Sequence, residues 1–80
     1  MDEDLKPPIR PLHLQLADVL RSEIAGGAWK FGTFIPIEAE LSREFGVSLA
    51  TVCRAIEELE RETIVRREGG SRWLVCLKKQ

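Results

Sequence analysis

GVSLATVCRAIEELE, residues 46–60, holds a turn, a helix start and a helix in fifteen positions. Gly46 supplies the positive-φ residue that ends a preceding helix, and Ser48 is placed to cap the next one. From Leu49 to about Glu62, Val52, Ala55, Ile56 and Leu59 recur at helical spacing and predict one buried face. Upstream, Pro36 sets up a shorter helix, Glu38 to Phe45, with Leu41 and Phe45 inward. Glu38 and Glu40 complement the positive end of its dipole. Val47 is expected to plug the angle between the two. Two helices joined by Gly-Val-Ser have a helix-turn-helix layout.

Working outward, Leu12, Leu16, Val19, Leu20 and Ile24 form the apolar stripe of a first helix, which Gly26-Gly27 ends. Residues 28–37, AWKFGTFIPI, read as a connector with a short strand at Thr33 to Ile35, and Trp29, Phe31, Phe34 and Ile35 are expected in the core. Downstream, Ile64 to Glu68 and Arg72 to Leu77 read as strands around a two-residue Gly69-Gly70 turn. The expected fold is mainly α with a small β-hairpin: a winged helix-turn-helix of three helices plus wing. It divides into an arm at 1–10, stopped by Pro7, Pro8 and Pro11, a domain at 11–77 and a basic tail at 78–80.

Eighty residues suit one small domain, and no apolar run approaches a membrane span. The acidic, proline-rich start is unlike a cationic secretory signal, so a cytoplasmic protein without a membrane partner is expected. Cys53 and Cys76 have no metal-ligand or CxxC spacing and read as small apolar residues, reduced in the cytosol. With one histidine, no nucleophile grouping and no phosphate loop, no enzyme, catalytic residue, cofactor site or metal site is assigned. Net charge is -1, unevenly spread: residues 66–80 hold five bases (Arg66, Arg67, Arg72, Lys78, Lys79) against Glu68 alone. A basic end on an acidic body is an electrostatic footprint for an anionic partner.

Four stretches together resemble one family: PLHLQLADVLRSEIAGG, FGTFIPIEAELSREFGVS, ATVCRAIEELERE and IVRREGGSRWLV, spanning about Pro11 to Val75. They look like the DNA-binding domain of GntR-type bacterial transcription regulators. The resemblance implies a sequence-specific regulator, a repressor, that binds double-stranded operator DNA as a two-fold homodimer or through a partner domain. It also implies a third helix in the major groove and a wing at the minor groove. Most members carry an effector or dimerisation domain after the wing; this chain stops at Gln80, as an excised domain or a small stand-alone regulator. The departures fall where the family reads DNA. Ile37 replaces a small polar residue, Ala39, Leu49 and Cys53 stand where arginines are usual, and Thr63 replaces a glycine before the first wing strand.

The positions left to meet DNA can be weighed individually. Opposite the buried stripe of the third helix lie Ala50, Arg54, Glu57 and Arg61, with Leu49 and Cys53 to one side. Arg54 is either a base or phosphate reader or the ion-pair partner of Glu58 at i+4. The hydroxyls of Ser48 and Thr51 match family positions and suit a phosphate, and Ser48 can cap the helix as well. Leu49 and Ala50 suit a thymine methyl or, alternatively, an exposed protein-binding patch with Cys53. In the wing, Arg67, Gly70 and Arg72 suit phosphate approach, against a plain charged edge strand. A winged helix that has lost DNA and become a protein–protein interaction module therefore stays open beside the regulator.

Overall fold

The computed structural model describes residues 10–70 and 72–76. Its elements run α1 (Leu12–Ala25), α2 (Glu38–Phe45), α3 (Leu49–Arg61), β1 (Val65–Glu68) and β2 (Arg72–Val75), the strands forming an antiparallel pair. Three helices and a hairpin are thus the architecture expected from the sequence. The strands are a little shorter than expected, β1 lacking Ile64 and β2 ending at Val75. Leu77, residues 1–9 of the expected arm at 1–10, and the tail at 78–80 lie outside the described residues.

α1 packs chiefly on α3, and α2 on α3, so the third helix is the hub of the core. Val52, Ala55, Ile56 and Leu59 are fully buried on it, against Leu16, Leu20 and Ile24 of α1 and Leu41 of α2. Gly46 sits in the left-handed region at φ 68, and Ser48 Oγ accepts the Thr51 amide at 3.1 Å. Val47 packs against the core between the helices, as its position between Gly46 and Ser48 implied.

Two parts of the expected core differ. On α1, Leu12 and Val19 are exposed and Ala17 is buried instead. At 100° per residue the buried set Leu16, Ala17, Leu20, Ile24 spans one arc, and Leu12 and Val19 fall on its flank. There they line a shallow apolar groove with Phe45 and Val47. In the connector, Ile35 is buried and Trp29 partly so, but Phe31 and Phe34 are exposed. The reason is strand-like pairing along β2. The amides of Gly32 and Ile35 donate to the carbonyls of Val75 and Trp73, and the Val75 amide donates to Thr33 O, all at 2.9–3.0 Å. Successive residues of such a segment face opposite ways, so burying Ile35 turns Phe34 out.

The hairpin register also differs from a two-residue turn. Glu68 pairs with Arg72, one position further along β2 than a two-residue turn allows, and Val65 pairs with Val75. Pairing Glu68 with residue 71 would shift β2 by one and put Trp73 opposite Arg66, on the outer face. With the longer loop, Trp73 and Val75 face inward with Val65, and Trp73 is 1% exposed. Gly69 and Gly70, at φ 60 and 90, take backbone angles that other residues resist.

The end of α3 is tied back to α1. Arg21 forms a fork with Glu62, Nε and Nη2 at 2.9 and 2.7 Å from the carboxylate oxygens, and donates to Asp18 at 2.7 Å. Arg10 also pairs with Asp18. After that tie, Thr63 turns the chain into β1 at φ 61, the one non-glycine positive φ among the described residues. A β-branched residue is strained there, and this is the position where the resemblance noted above implies a glycine. Thr63→Gly should therefore raise the unfolding free energy by about 1 kcal/mol, since the left-handed region costs an L-residue roughly 1–2 kcal/mol and glycine gives part of that back as chain entropy. Urea denaturation of the two proteins measures it.

The hydrogen bond from Arg21, helped by the charge of Arg10, holds the Asp18 carboxyl below its ordinary 3.8. A lowered carboxyl favours the folded chain at pH values above 3.8 and stops doing so as pH falls through its lowered value. Asp18→Asn should thus melt lower than the parent at pH 7, and the gap should close as acid protonates the parent's carboxyl. Melting temperatures across pH 2–7 would record this, and a gap unchanged at low pH would contradict it.

Candidate nucleic-acid interface

The solvent face of α3 and the wing make one surface, built from residues the core leaves unused. Ser48 and Thr51 open it. Their hydroxyls lie 3.0 Å apart, and Ser48 also caps the helix, so both are engaged within the first turn. Leu49, Ala50 and Arg54 are exposed, while Thr51 and Cys53 are half-buried. Leu49 is 53% exposed, a large apolar side chain in water at the start of the helix.

Arg54 has no hydrogen bond or ion pair among the described residues. The pairing with Glu58 offered by the i+4 spacing does not form, because Glu58 is taken by Arg61. The Arg54 guanidinium stands in water on the same face as Ala50, available to an anion.

Cys53 does not share that freedom. Its thiol donates to Glu38 Oε2 at 3.6 Å, and burial first, then the Glu38 charge, pushes its pKa up. The same carboxylate oxygen accepts the Trp73 indole N–H at 3.4 Å. Glu38, at the first position of α2, thereby touches both α3 and the wing. Sequence reasoning treated Glu38 as a dipole residue only, and nothing in the spacing of residues 38, 53 and 73 joins them.

The wing arginines are held in place by their neighbours. Arg67 lies over the Trp73 ring, 4.4 Å from its centroid, and donates to Gly70 O at 2.7 Å, closing the turn. Arg72 lies over Phe34 at 4.8 Å, which gives the exposed Phe34 ring a partner. Arg66 pairs with Glu68 at 2.8 Å. Cation–π contacts of this kind are worth about 0.5–1 kcal/mol at exposed sites, enough to restrain an arginine without neutralising it. Arg67 also shares a shallow recess with Glu57, Glu60 and Arg61 of α3, so carboxylates crowd the far end of the surface. Among the described residues no cluster of metal-ligating side chains forms, and no helix is long and apolar enough to cross a membrane.

Two helices joined by a short turn and followed by a basic hairpin make the winged helix-turn-helix class. The model of bacterial regulatory proteins of the gntR family matches residues 12–75, and the chain belongs to that family. It is 42% identical over 62 residues to the mannosyl-D-glycerate transport/metabolism system repressor MngR of Escherichia coli, covering 78% of this chain and 26% of that protein. It is 35% identical to the transcriptional regulator GgaR of the same species over 75% of this chain and 24% of the relative. The chain thus spans about a quarter of the length of these relatives. Among solved structures, YtrA from Sulfolobus acidocaldarius, a GntR-family transcription factor, superposes with a TM-score of 0.76 at 29% identity, covering all of this chain and 67% of that one. A complex of mutant ORR3 with the NTD of AraR matches with a TM-score of 0.76 at 28% identity, covering 86% of this chain and 100% of that one.

The Cys53 environment has a chemical consequence. With its thiolate disfavoured, Cys53 should alkylate slowly with iodoacetamide at pH 7, and Glu38→Gln should speed it by removing the facing charge. Mass spectrometry of the Cys53 peptide over time follows this, and equal rates in the two proteins would contradict the assignment.

Proposed function

We propose that this chain is the DNA-binding part of a gntR-family transcription regulator, a repressor acting in the cytoplasm on double-stranded operator DNA. In this reading α3 enters the major groove and the Gly69-Gly70 wing tip lies at the minor groove, with Arg67 and Arg72 beside it. The observation that carries the proposal is the pairing of an unengaged Arg54 on the exposed face of α3 with a wing that presents arginines around a bare glycine turn. Major-groove width fits a helix, and helix N-terminal residues are the ones that reach base edges. Family membership and the regulators it resembles support the same reading.

Ser48, Leu49, Ala50, Thr51 and Arg54 are the contacts proposed on α3, and Arg67, Gly70 and Arg72 those on the wing. Cys53, bonded to Glu38, lines the edge of this surface. One domain presents one reading helix, so a two-fold operator requires two copies, paired directly or by a partner domain. Glu57 and Glu60 repel phosphate, so the far end of α3 tilts away from the DNA backbone in this arrangement.

Fluorescence anisotropy against random-sequence duplexes at two salt concentrations tests the proposal. Binding should weaken steeply with salt, by the release of counterions from each contacted phosphate. Arg54→Ala and Arg72→Ala should each cost about tenfold in affinity, within the range of single arginine contacts, with melting temperature unchanged for Arg54→Ala and lowered by a few degrees for Arg72→Ala as its contact with Phe34 is lost. No binding to any duplex at low salt would overturn the proposal in favour of the alternative, a protein-docking surface at Leu49, Ala50 and Cys53.

A further inference from the structure

The first turn of α3 carries an apolar patch that side-chain hydrogen bonding cannot use. Leu49 and Ala50, its first two residues, are exposed and have no polar side-chain atom. The neighbouring hydroxyls of Ser48 and Thr51 lie 3.0 Å apart, and Ser48 Oγ also accepts the Thr51 amide as the helix cap. Cys53, one turn on from Leu49, gives its thiol proton to Glu38 and faces α2. That contact sets the first turn of α2 beside the first turns of α3, and Ile37, exposed at the start of α2, extends the apolar surface on that side. No described residue covers Leu49, and water around a half-exposed leucine is displaced favourably by an apolar contact.

Of the groups on the major-groove edges of the four bases, the C5-methyl of thymine is the apolar one. We propose that Leu49, with Ala50 beside it, recognises a thymine methyl. This rests on the DNA-binding reading above. Leu49 therefore sets which base is accepted at the end of the half-site where an arginine would otherwise select guanine. A guanine there would place its acceptors against a side chain with no donor, and a cytosine would present an unmet amine, so both are selected against.

The test starts from duplexes selected by this 80-residue protein from a random pool. Each thymine common to them is replaced singly by deoxyuridine, which keeps base pairing and groove hydrogen bonding and removes only the methyl. At one such thymine the parent protein should lose about fourfold in affinity, the effect of one methyl taken from apolar contact back to water. Leu49→Ala, an exposed truncation that leaves the core intact, should bind more weakly and be indifferent to the same replacement. If the parent binds selected duplexes and no deoxyuridine replacement weakens it, the thymine assignment is overturned while DNA binding stands. If Leu49→Ala stays as sensitive as the parent, Leu49 is not the reader and the assignment is likewise overturned. If no duplex is selected at all, both readings fail together.

Discussion

A two-stranded hairpin has no stable fold of its own in water, so this wing holds its shape by burying one face on the helices. Trp73 is the anchor. It is the largest fully buried side chain among the described residues, and its backbone carbonyl accepts the Ile35 amide at 3.0 Å. Truncating a buried tryptophan commonly costs about 3–5 kcal/mol, a large share of what a domain this size can have. Its indole N–H reaches Glu38 at the start of α2, and its ring carries the Arg67 guanidinium. One side chain thus fixes the wing to the body, sets the hairpin register and aims a wing arginine.

That anchoring shapes the electrostatics of the surface. Arg67 and Arg72 are laid over aromatic rings rather than paired with carboxylates, so they keep their charge while losing little freedom on meeting an anion. Arg66 is different, being paired with Glu68. On α3 the contrast repeats within two turns: Arg61 is paired with Glu58, whereas Arg54 has no ion pair among the described residues. Available positive charge is therefore concentrated at the start of α3 and along the wing, and negative charge at the end of α3.

Much of this could be read from the chain. The Gly46-Val47-Ser48 turn, the buried face of α3 and the bounds of α2 are local matters, decided by a left-handed glycine, a capping hydroxyl and 3.6-residue spacing. The exposed positions of α3 followed from the same spacing. What could not be read depends on which flank each element turns to its neighbours. Leu12 and Val19 are apolar and in phase with the stripe, yet α1 rolls far enough onto α3 to leave them out. Phe31 and Phe34 were expected inside because large aromatics usually are, and pairing along β2 buries Ile35 in preference to Phe34.

By itself, the sequence determined that three helices precede a basic hairpin, that α3 is the amphipathic hub, and that Leu49, Ala50 and Arg54 stand clear of the core. These are consequences of short-range spacing and backbone preference. Tertiary structure alone decided the register of the wing, the strained turn at Thr63, and the partners of the charged residues. Arg21 finds Glu62 across 41 positions, and Glu38 finds Trp73 across 35. Pairings of that span arise only once packing has brought distant backbone together, because a charge or an indole has no preferred partner in the chain until the fold supplies one.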